Sequence, residues 1–395
     1  MTSESERQPP SVVTPPIRLG VIGTGLAMER LHWPALKQLS DRFVVVAFAE
    51  PDREAAERFA AYSGVTWSGY HPQAGELLAR GDVDAVVILL PIPLLYETAR
   101  AALEAGKHVF CEKPPGANLN QGRAFLELER RFPQQRLLIA ENFFYRDDLR
   151  LARTLLDGGA IGRVNVAAWR MASQYVPRQG GFSSTPWRQR PQYRGGPHLD
   201  GGVHMIAQLR LLCGDVRRVH GLAQHANSQM GGPSDLSLNL AFVSGAIGNY
   251  TAIHAEIPVP REDRGLRLYG SEAVMTFRGG FGSGPRTVAV HRPSGEVEEH
   301  AVEGSDGGYY NEWLDFYDAL VHGGALVGTV AQSFANMLVV LRGLDAAEGA
   351  GEVDLAPDAP HGLAERAVPI WRPRGAGEDP FAGLPCRVTT TVRKE

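Results

Sequence analysis

Residues 17–28 read IRLGVIGTGLAM, an apolar run that turns at two glycines into a segment ending on methionine. An apolar run bounded by glycine reads as a buried strand, and Gly23 and Gly25 make the turn from it into a helix. The first glycine permits a tight turn. The second lets the backbone approach a pyrophosphate, which the N–H groups around Leu26 and Ala27 and the helix dipole attract. The third glycine position of such a fingerprint holds Met28, where close helix–strand packing favours a small residue.

The strand–helix alternation continues outward from this stretch. FVVVAFAE (43–50) is a strand, DREAAERFAAYSG (52–64) a helix and DAVVILLP (84–91) a central strand. LLYETARAALEAG (94–106) is a helix closed by Gly106, followed by the strand HVFCEKP (108–114), a helix over 119–131 and the strand RLLIAEN (136–142). Continuous apolar strands separated by amphipathic helices predict an α/β, Rossmann-type doubly wound parallel sheet. Past residue 160 the period becomes two, in RVNVAAWRMAS (163–173), LSLNLAFVSGAIGNYTAIHAEI (236–257), GLRLYGSEAVMTFRG (265–279) and RTVAVHRPSGEVEEHAV (286–302). This predicts an α+β domain on a large, open, mostly antiparallel sheet with an uncovered apolar face, and self-association through it as a homodimer or homotetramer. Two helices, near 309–323 and 331–349, are expected to pack back on the first domain. The expected organisation is a disordered tail over 1–16, a dinucleotide-binding domain over 17–145, a substrate-binding and oligomerisation domain over 146–364 and an irregular tail over 365–395.

The net charge of -4 over 395 residues gives no basic field for nucleic acid or anionic lipid. The N-terminus lacks a signal-peptide core, and no run approaches the roughly 20 apolar residues that span a bilayer. Cys111, Cys213 and Cys386 lie far apart without a CxxC pair, so no metal site or disulfide framework is indicated. These features read as a soluble protein of the reducing cytoplasm that acts on a small molecule.

Glu50 ends the second strand, where a carboxylate accepts hydrogen bonds from the adenosine ribose and repels a 2′-phosphate, favouring NAD. Arg53 could pair with that phosphate, so NADP stays open. Lys113 stands at the carboxyl end of a central strand, where open α/β sheets bind ligands, and its ammonium can stabilise a developing alkoxide. In GGPHLDGGVHMIAQLRLLCG (195–214), Asp200 and His204 are spaced to share a helix face beside the apolar Leu199, Val203 and Ile206. His204 can exchange the hydroxyl proton and Asp200 can orient it; their structural alternatives are a helix cap and a buried histidine. RQGGFSSTPWRQRPQYR (178–194) carries four arginines with Phe182, Trp187 and Tyr193 interleaved. It reads as a surface loop, as a strand-binding segment for nucleic acid, or, best in a net-acidic chain, as the wall of a sugar pocket. Arginines facing that ligand would predict a carboxylate or phosphate on it.

Taken together, GVIGTG, AALEAGKHVFCEKP, AENFFYR, LLDGGAIGRV, WRQRPQYRGGPHLDGGVH and YYNEWLDFYDAL resemble the Gfo/Idh/MocA oxidoreductases, over roughly residues 17–355. The resemblance implies an NAD(P)-dependent dehydrogenase or reductase acting on a sugar, cyclitol or related polyol. It implies Lys113, Asp200 and His204 as catalytic residues and Pro114 as a proline often found in the cis form. Gly23, Gly25, Leu26, Ala27, Glu50, Leu90, Pro91, Glu112, Lys113 and Asn142 would serve the cofactor. Tyr145, Trp187, Arg188, Tyr193, Asp200 and His204 would meet the substrate. Three features depart from the family pattern: Met28, the pair Ile92 and Leu95, which would make the nicotinamide surroundings more apolar, and Ala207, where an acid is common. The family also contains NAD-dependent glycosidases or lyases that use transient oxidation, and NAD-binding sensors without catalysis.

Overall fold

The computed structural model of the chain describes residues 12–260, 264–279, 285–377 and 379–394. They form two compact units, one of residues up to Glu141 together with Tyr309–Ser333, the other of Asn142–Gly308 together with the chain from Phe334 onward. The boundary expected after residue 145 thus falls after 141, and a later segment returns to the first unit.

In the first unit, β1 (Ile17–Ile22), β2 (Phe43–Ala49), β3 (Tyr70–His71), β4 (Ala85–Ile88), β5 (His108–Glu112) and β6 (Leu137–Ala140) form a parallel sheet in the order β3-β2-β1-β4-β5-β6. Between them run α1 (Trp33–Gln38), α2 (Arg53–Ser63), α3 (Ala74–Leu78), α4 (Ile92–Glu104) and α5 (Leu119–Arg131). Helix α2 starts where Asp52 caps the N–H groups of Glu54 and Ala55, and stops at Gly64 with φ 74°. The sheet reverses strand order between β1 and β4, the place where such folds hold ligands beyond the strand ends. Much later in the chain, α10 (Tyr309–His322) returns to this unit because Trp313, fully buried, stacks on Phe110 with centroids 4.1 Å apart. Residues 1–11 of the tail expected to be disordered lie outside the described residues. Its remainder is tied down, with Val13 donating its N–H to the Leu320 carbonyl at 2.9 Å.

The second unit begins with α6 (Asp147–Asp157), β7 (Val164–Gln174), the short α7 (Pro186–Gln189) and α8 (Pro197–Asp200), and α9 (Gly202–Cys213). Seven strands follow, β8 (Val216–Gln224), β9 (Asp235–Phe242), β10 (Ile247–Ala255), β11 (Gly265–Gly270), β12 (Val274–Arg278), β13 (Arg286–His291) and β14 (Glu296–Glu303). After α11 (Val330–Asp345), β15 (Val353–Asp354) and β16 (Arg387–Lys394) complete a ten-stranded sheet, β15-β8-β9-β10-β7-β11-β12-β13-β14-β16. Among the described strands of this sheet, β7 and β10 are the parallel pair.

Two expectations change here. Leu236, Leu238, Leu240 and Phe242 of β9 and Tyr250 and Ala252 of β10 are buried, as the period-two rule requires for one face. The opposite face is mixed along these strands, with Ser237 bonded to Thr251 at 3.2 Å and Asn249 to Asn239 at 3.3 Å beside the exposed Ile247. The tail expected to be irregular ends as β16, paired with β14 so that Glu296 faces Lys394, Glu303 faces Arg387 and Val302 faces Val388. Opposite charges and apolar pairs across strands supply a register that the tail's own composition conceals. Among the described residues, no helix is long and apolar enough to cross a membrane.

Candidate active site

In the first unit, the turn after β1 is organised by Glu50. Its Oε2 accepts from the Thr24 N–H at 2.9 Å and the Thr24 hydroxyl at 3.2 Å, and its Oε1 accepts from the Asp52 N–H at 3.1 Å. The carboxylate is thereby held beside the glycine turn, where the ribose of a dinucleotide would lie. Gly23 is required by the fold, because φ is 90° and an added Cβ would lie 2.6 Å from the Leu89 carbonyl oxygen. A Cβ at Gly25 would meet nothing within 4 Å. Protein packing therefore does not demand glycine there, whereas a phosphate lying close against the backbone does, and the turn fits a dinucleotide.

Leu26 and Ala27 open the helix, as the turn requires, but Met28 is fully buried and starts a five-residue π-helical turn, Met28–His32, ahead of α1. Such turns are uncommon and concentrate at functional sites. This one carries the fully buried His32 to Glu112, with Nε2 donating to Oε1 at 3.0 Å, inside a cage of Phe110, Tyr309 and Trp313. Glu112 also accepts the backbone N–H of Lys113 at 3.1 Å, just before the cis Lys113–Pro114 bond. Leu90 and Pro91 lie half-buried at the end of β4. Ile92 and Leu95 are buried, Leu95 in the core beneath the sheet.

In the second unit, the helix expected to carry both Asp200 and His204 is broken at Gly201: α8 ends on Asp200 and α9 starts at Gly202. Gly196, with φ 48° and ψ -122°, and Pro197 at the first helical position set up the short α8. Leu199, Val203 and Ile206 are buried as expected, and so are Leu209 and Ala207. Asp200 and His204 nevertheless line one cavity of about 330 Å³, together with Met171, Tyr175, Phe182, Arg188, Tyr193 and His254. That volume is at the small end for ligand pockets. The His204 ring stacks on Phe143, centroids 4.8 Å apart.

The arginine-rich loop is ordered against the glycines that follow β8: a Cβ at Gly231 would come 2.6 Å from the Gln189 carbonyl oxygen. Its four arginines have different surroundings. Arg188 donates Nε–H to Asp200 at 2.6 Å and lies over the Trp187 ring at 4.0 Å. Arg194 pairs with Asp345 and Glu348, and Arg178 and Arg190 are exposed and do not line the cavity. The arginine of this loop that lines the cavity, Arg188, has its charge paired with Asp200.

Of the residues expected at the substrate, Arg188, Tyr193, Asp200 and His204 line the cavity; Trp187 does not and instead supports Arg188. Tyr145 is fully buried with its ring toward Trp371, and Asn142, expected at the cofactor, spends its amide on the Gly307 carbonyl at 2.8 Å. Burial raises the Tyr193 phenol well above its ordinary value, aided by Asp200, so it stays protonated. His32, Phe143, Tyr175 and His254 were not legible as site residues. His32 and His254 sit inside ordinary helix and strand patterns, and only their partners distinguish them.

Residues 17–138 match the family described as oxidoreductases with an NAD-binding Rossmann fold, and residues 149–276 match the GFO/IDH/MocA C-terminal domain. A dTDP-3,4-didehydro-2,6-dideoxy-alpha-D-glucose 3-reductase of Streptomyces violaceoruber is 32% identical over 293 residues, 71% of this chain and 79% of that protein. The D-glucoside 3-dehydrogenase of Escherichia coli is 29% identical over 199 residues, 50% of this chain and 54% of its own. The solved structure of an oxidoreductase from Thermotoga maritima superposes with a TM-score of 0.78 at 28% identity, covering 87% of this chain and 99% of that one.

Proposed function

The chain belongs to the GFO/IDH/MocA family of NAD(P)-dependent oxidoreductases, and from that premise we propose that it interconverts a secondary hydroxyl and a ketone on the ring of an uncharged sugar or polyol. The observation that supports this best is the small cavity that joins Asp200 and His204 to aromatic walls without an unbalanced cation. The two sugar-acting relatives are named for chemistry at position 3, and ring carbon 3 is the reacting carbon we expect.

The Gly23–Gly25 turn, Leu26, Ala27 and Glu50 hold the dinucleotide, which when bound accepts or returns hydride. Lys113 stabilises the alkoxide by its positive charge, and Glu112, anchored by His32, fixes the backbone from which that lysine extends. The His204 imidazole takes the hydroxyl proton during oxidation and gives it back during reduction. Asp200, held by Arg188, orients the hydroxyl.

The test is a panel of hexoses, hexosides and cyclitols with NAD, following both sugar product and NADH absorbance. One NADH for each sugar oxidised is expected. Sugar cleavage without net NADH would replace this reading by transient oxidation in a glycosidase or lyase.

Glu50 also makes a cofactor prediction. Glu50→Ser removes the acceptor bonded to the glycine turn and the charge that repels a 2′-phosphate. It is expected to lower kcat/KM for NAD by about tenfold or more, since hydrogen bonds to a charged group are among the stronger ones. NADP use should fall less or rise. Unchanged ratios in paired assays with both cofactors would remove Glu50 from cofactor selection.

A further inference from the structure

His254 lies near the end of β10, on the face of the sheet that lines the cavity, directly across from Ser173 of the parallel strand β7, which lines it too. The ring is held firmly from its own side of the sheet. Nδ1 lies 2.8 Å from the Ser234 carbonyl oxygen, which can only accept, so Nδ1 carries the proton. The residue's backbone is fixed as well, its N–H donating to Asp235 at 3.3 Å and its carbonyl accepting from Asn227 at 2.9 Å. Around the ring stand His198, with centroids 5.3 Å apart, and Tyr175, at 5.8 Å. The one polar ring atom left for the cavity is Nε2, as a lone-pair acceptor.

We propose that His254 Nε2 accepts a hydrogen bond from a hydroxyl of an uncharged ring substrate other than the hydroxyl being oxidised, and that this contact selects the substrate. The assignment rests on reading the cavity as the sugar site. It is supported by the charge balance of the arginine among the described lining residues: Arg188 faces Asp200. Burial also pushes His254 below its ordinary value and its neighbour His198 down to about 3, so both rings are neutral near pH 7. A neutral, tautomer-fixed imidazole accepts from a hydroxyl and offers nothing to a carboxylate or phosphate. The remaining walls, Met171, Phe182 and Met205, suit the apolar face of a sugar ring.

The test uses the full-length enzyme with NAD, the parent sugar found in the panel above, and its monodeoxy analogues at each position. The wild type should lose about 10²-fold or more in kcat/KM for one analogue, because a site built around a hydroxyl rejects the compound lacking it. In His254→Phe, which keeps a planar ring but has no acceptor, the parent and that analogue should fall within about threefold of each other, with penalties at other positions unchanged. His254→Gln, which retains an acceptor, should restore part of the discrimination and guards against a misfolded Phe variant. A His254→Phe enzyme that folds by thermal melting but keeps the wild-type deoxy pattern, or slows every analogue by one common factor, overturns the assignment while leaving the sugar-oxidoreductase reading intact. A wild type that turns over none of the panel overturns both.

Discussion

Lys113→Met is expected to reduce kcat by about 10²–10³-fold while leaving NAD affinity within a few fold. The magnitude is that of removing one preorganised group from a developing oxyanion. The position earns the prediction through its supports. Lys113 follows β5 directly, its N–H is bonded to Glu112, and Glu112 is bonded to the fully buried His32 inside an aromatic cage. That anchoring holds the backbone at Lys113 still, so the ammonium does not have to be organised during the reaction. Methionine keeps the length and most of the apolar stem and removes the charge. Steady-state rates with the best sugar of the panel, set beside a fluorescence titration with NADH, separate the two effects. A kcat within about tenfold of wild type would take Lys113 out of the chemistry, and a matching loss of NAD affinity would make it a cofactor ligand instead.

The second large effect concerns stability. Arg150→Met should cost about 3–5 kcal/mol, the range for breaking a buried ion pair by deleting one partner. Arg150, on α6, is 0% exposed. Its Nη1 donates to Asp147 at 2.9 Å, its Nε to the Trp371 carbonyl at 3.0 Å and its Nη2 to the Pro380 carbonyl. The guanidinium also lies over the rings of Trp371 at 4.9 Å and Phe381 at 5.1 Å. One side chain thus ties the segment around 371–381 to α6. Methionine fills part of the volume but takes the guanidinium from Asp147 and leaves two carbonyls without their donor. Denaturant unfolding of the full chain measures the loss, and limited proteolysis should show new cleavage near 371–381. A loss below about 1 kcal/mol, with the tail still protected, would mean that the strand pairing of β16 alone retains it.

What could be read from the letters is what depends on neighbours in sequence. The glycine turn, the buried parallel strands and their helices follow from local periodicity and from the conformational freedom of Gly23, which is why the first unit was legible down to the helix at 119–131. Lys113, Asp200 and His204 stood out as candidates because ionisable residues stand there at the ends of predicted strands and helices, and of these the fold brings Asp200 and His204 to one cavity. The sequence also carried the period-two pattern of the second sheet, though not which face would be apolar, since the polar Ser237, Asn239, Asn249 and Thr251 find one another only once β9 and β10 pair.

The tertiary structure alone decided the pairings between distant positions. His32 meets Glu112 across 80 residues, Trp313 returns to Phe110, Arg150 reaches Pro380 across 230 residues, and β16 finds β14. Arg188 pairs with Asp200, and Ser234 sets the tautomer of His254. The physical reason is common to all of them. Periodicity and propensity act over one turn of helix or a few residues of strand, whereas charge balance and hydrogen-bond direction depend on which groups burial brings within about 3 Å of one another. The class of chemistry could therefore be read along the chain, and the charge and polarity of the cavity beside Asp200 and His204 only in the fold.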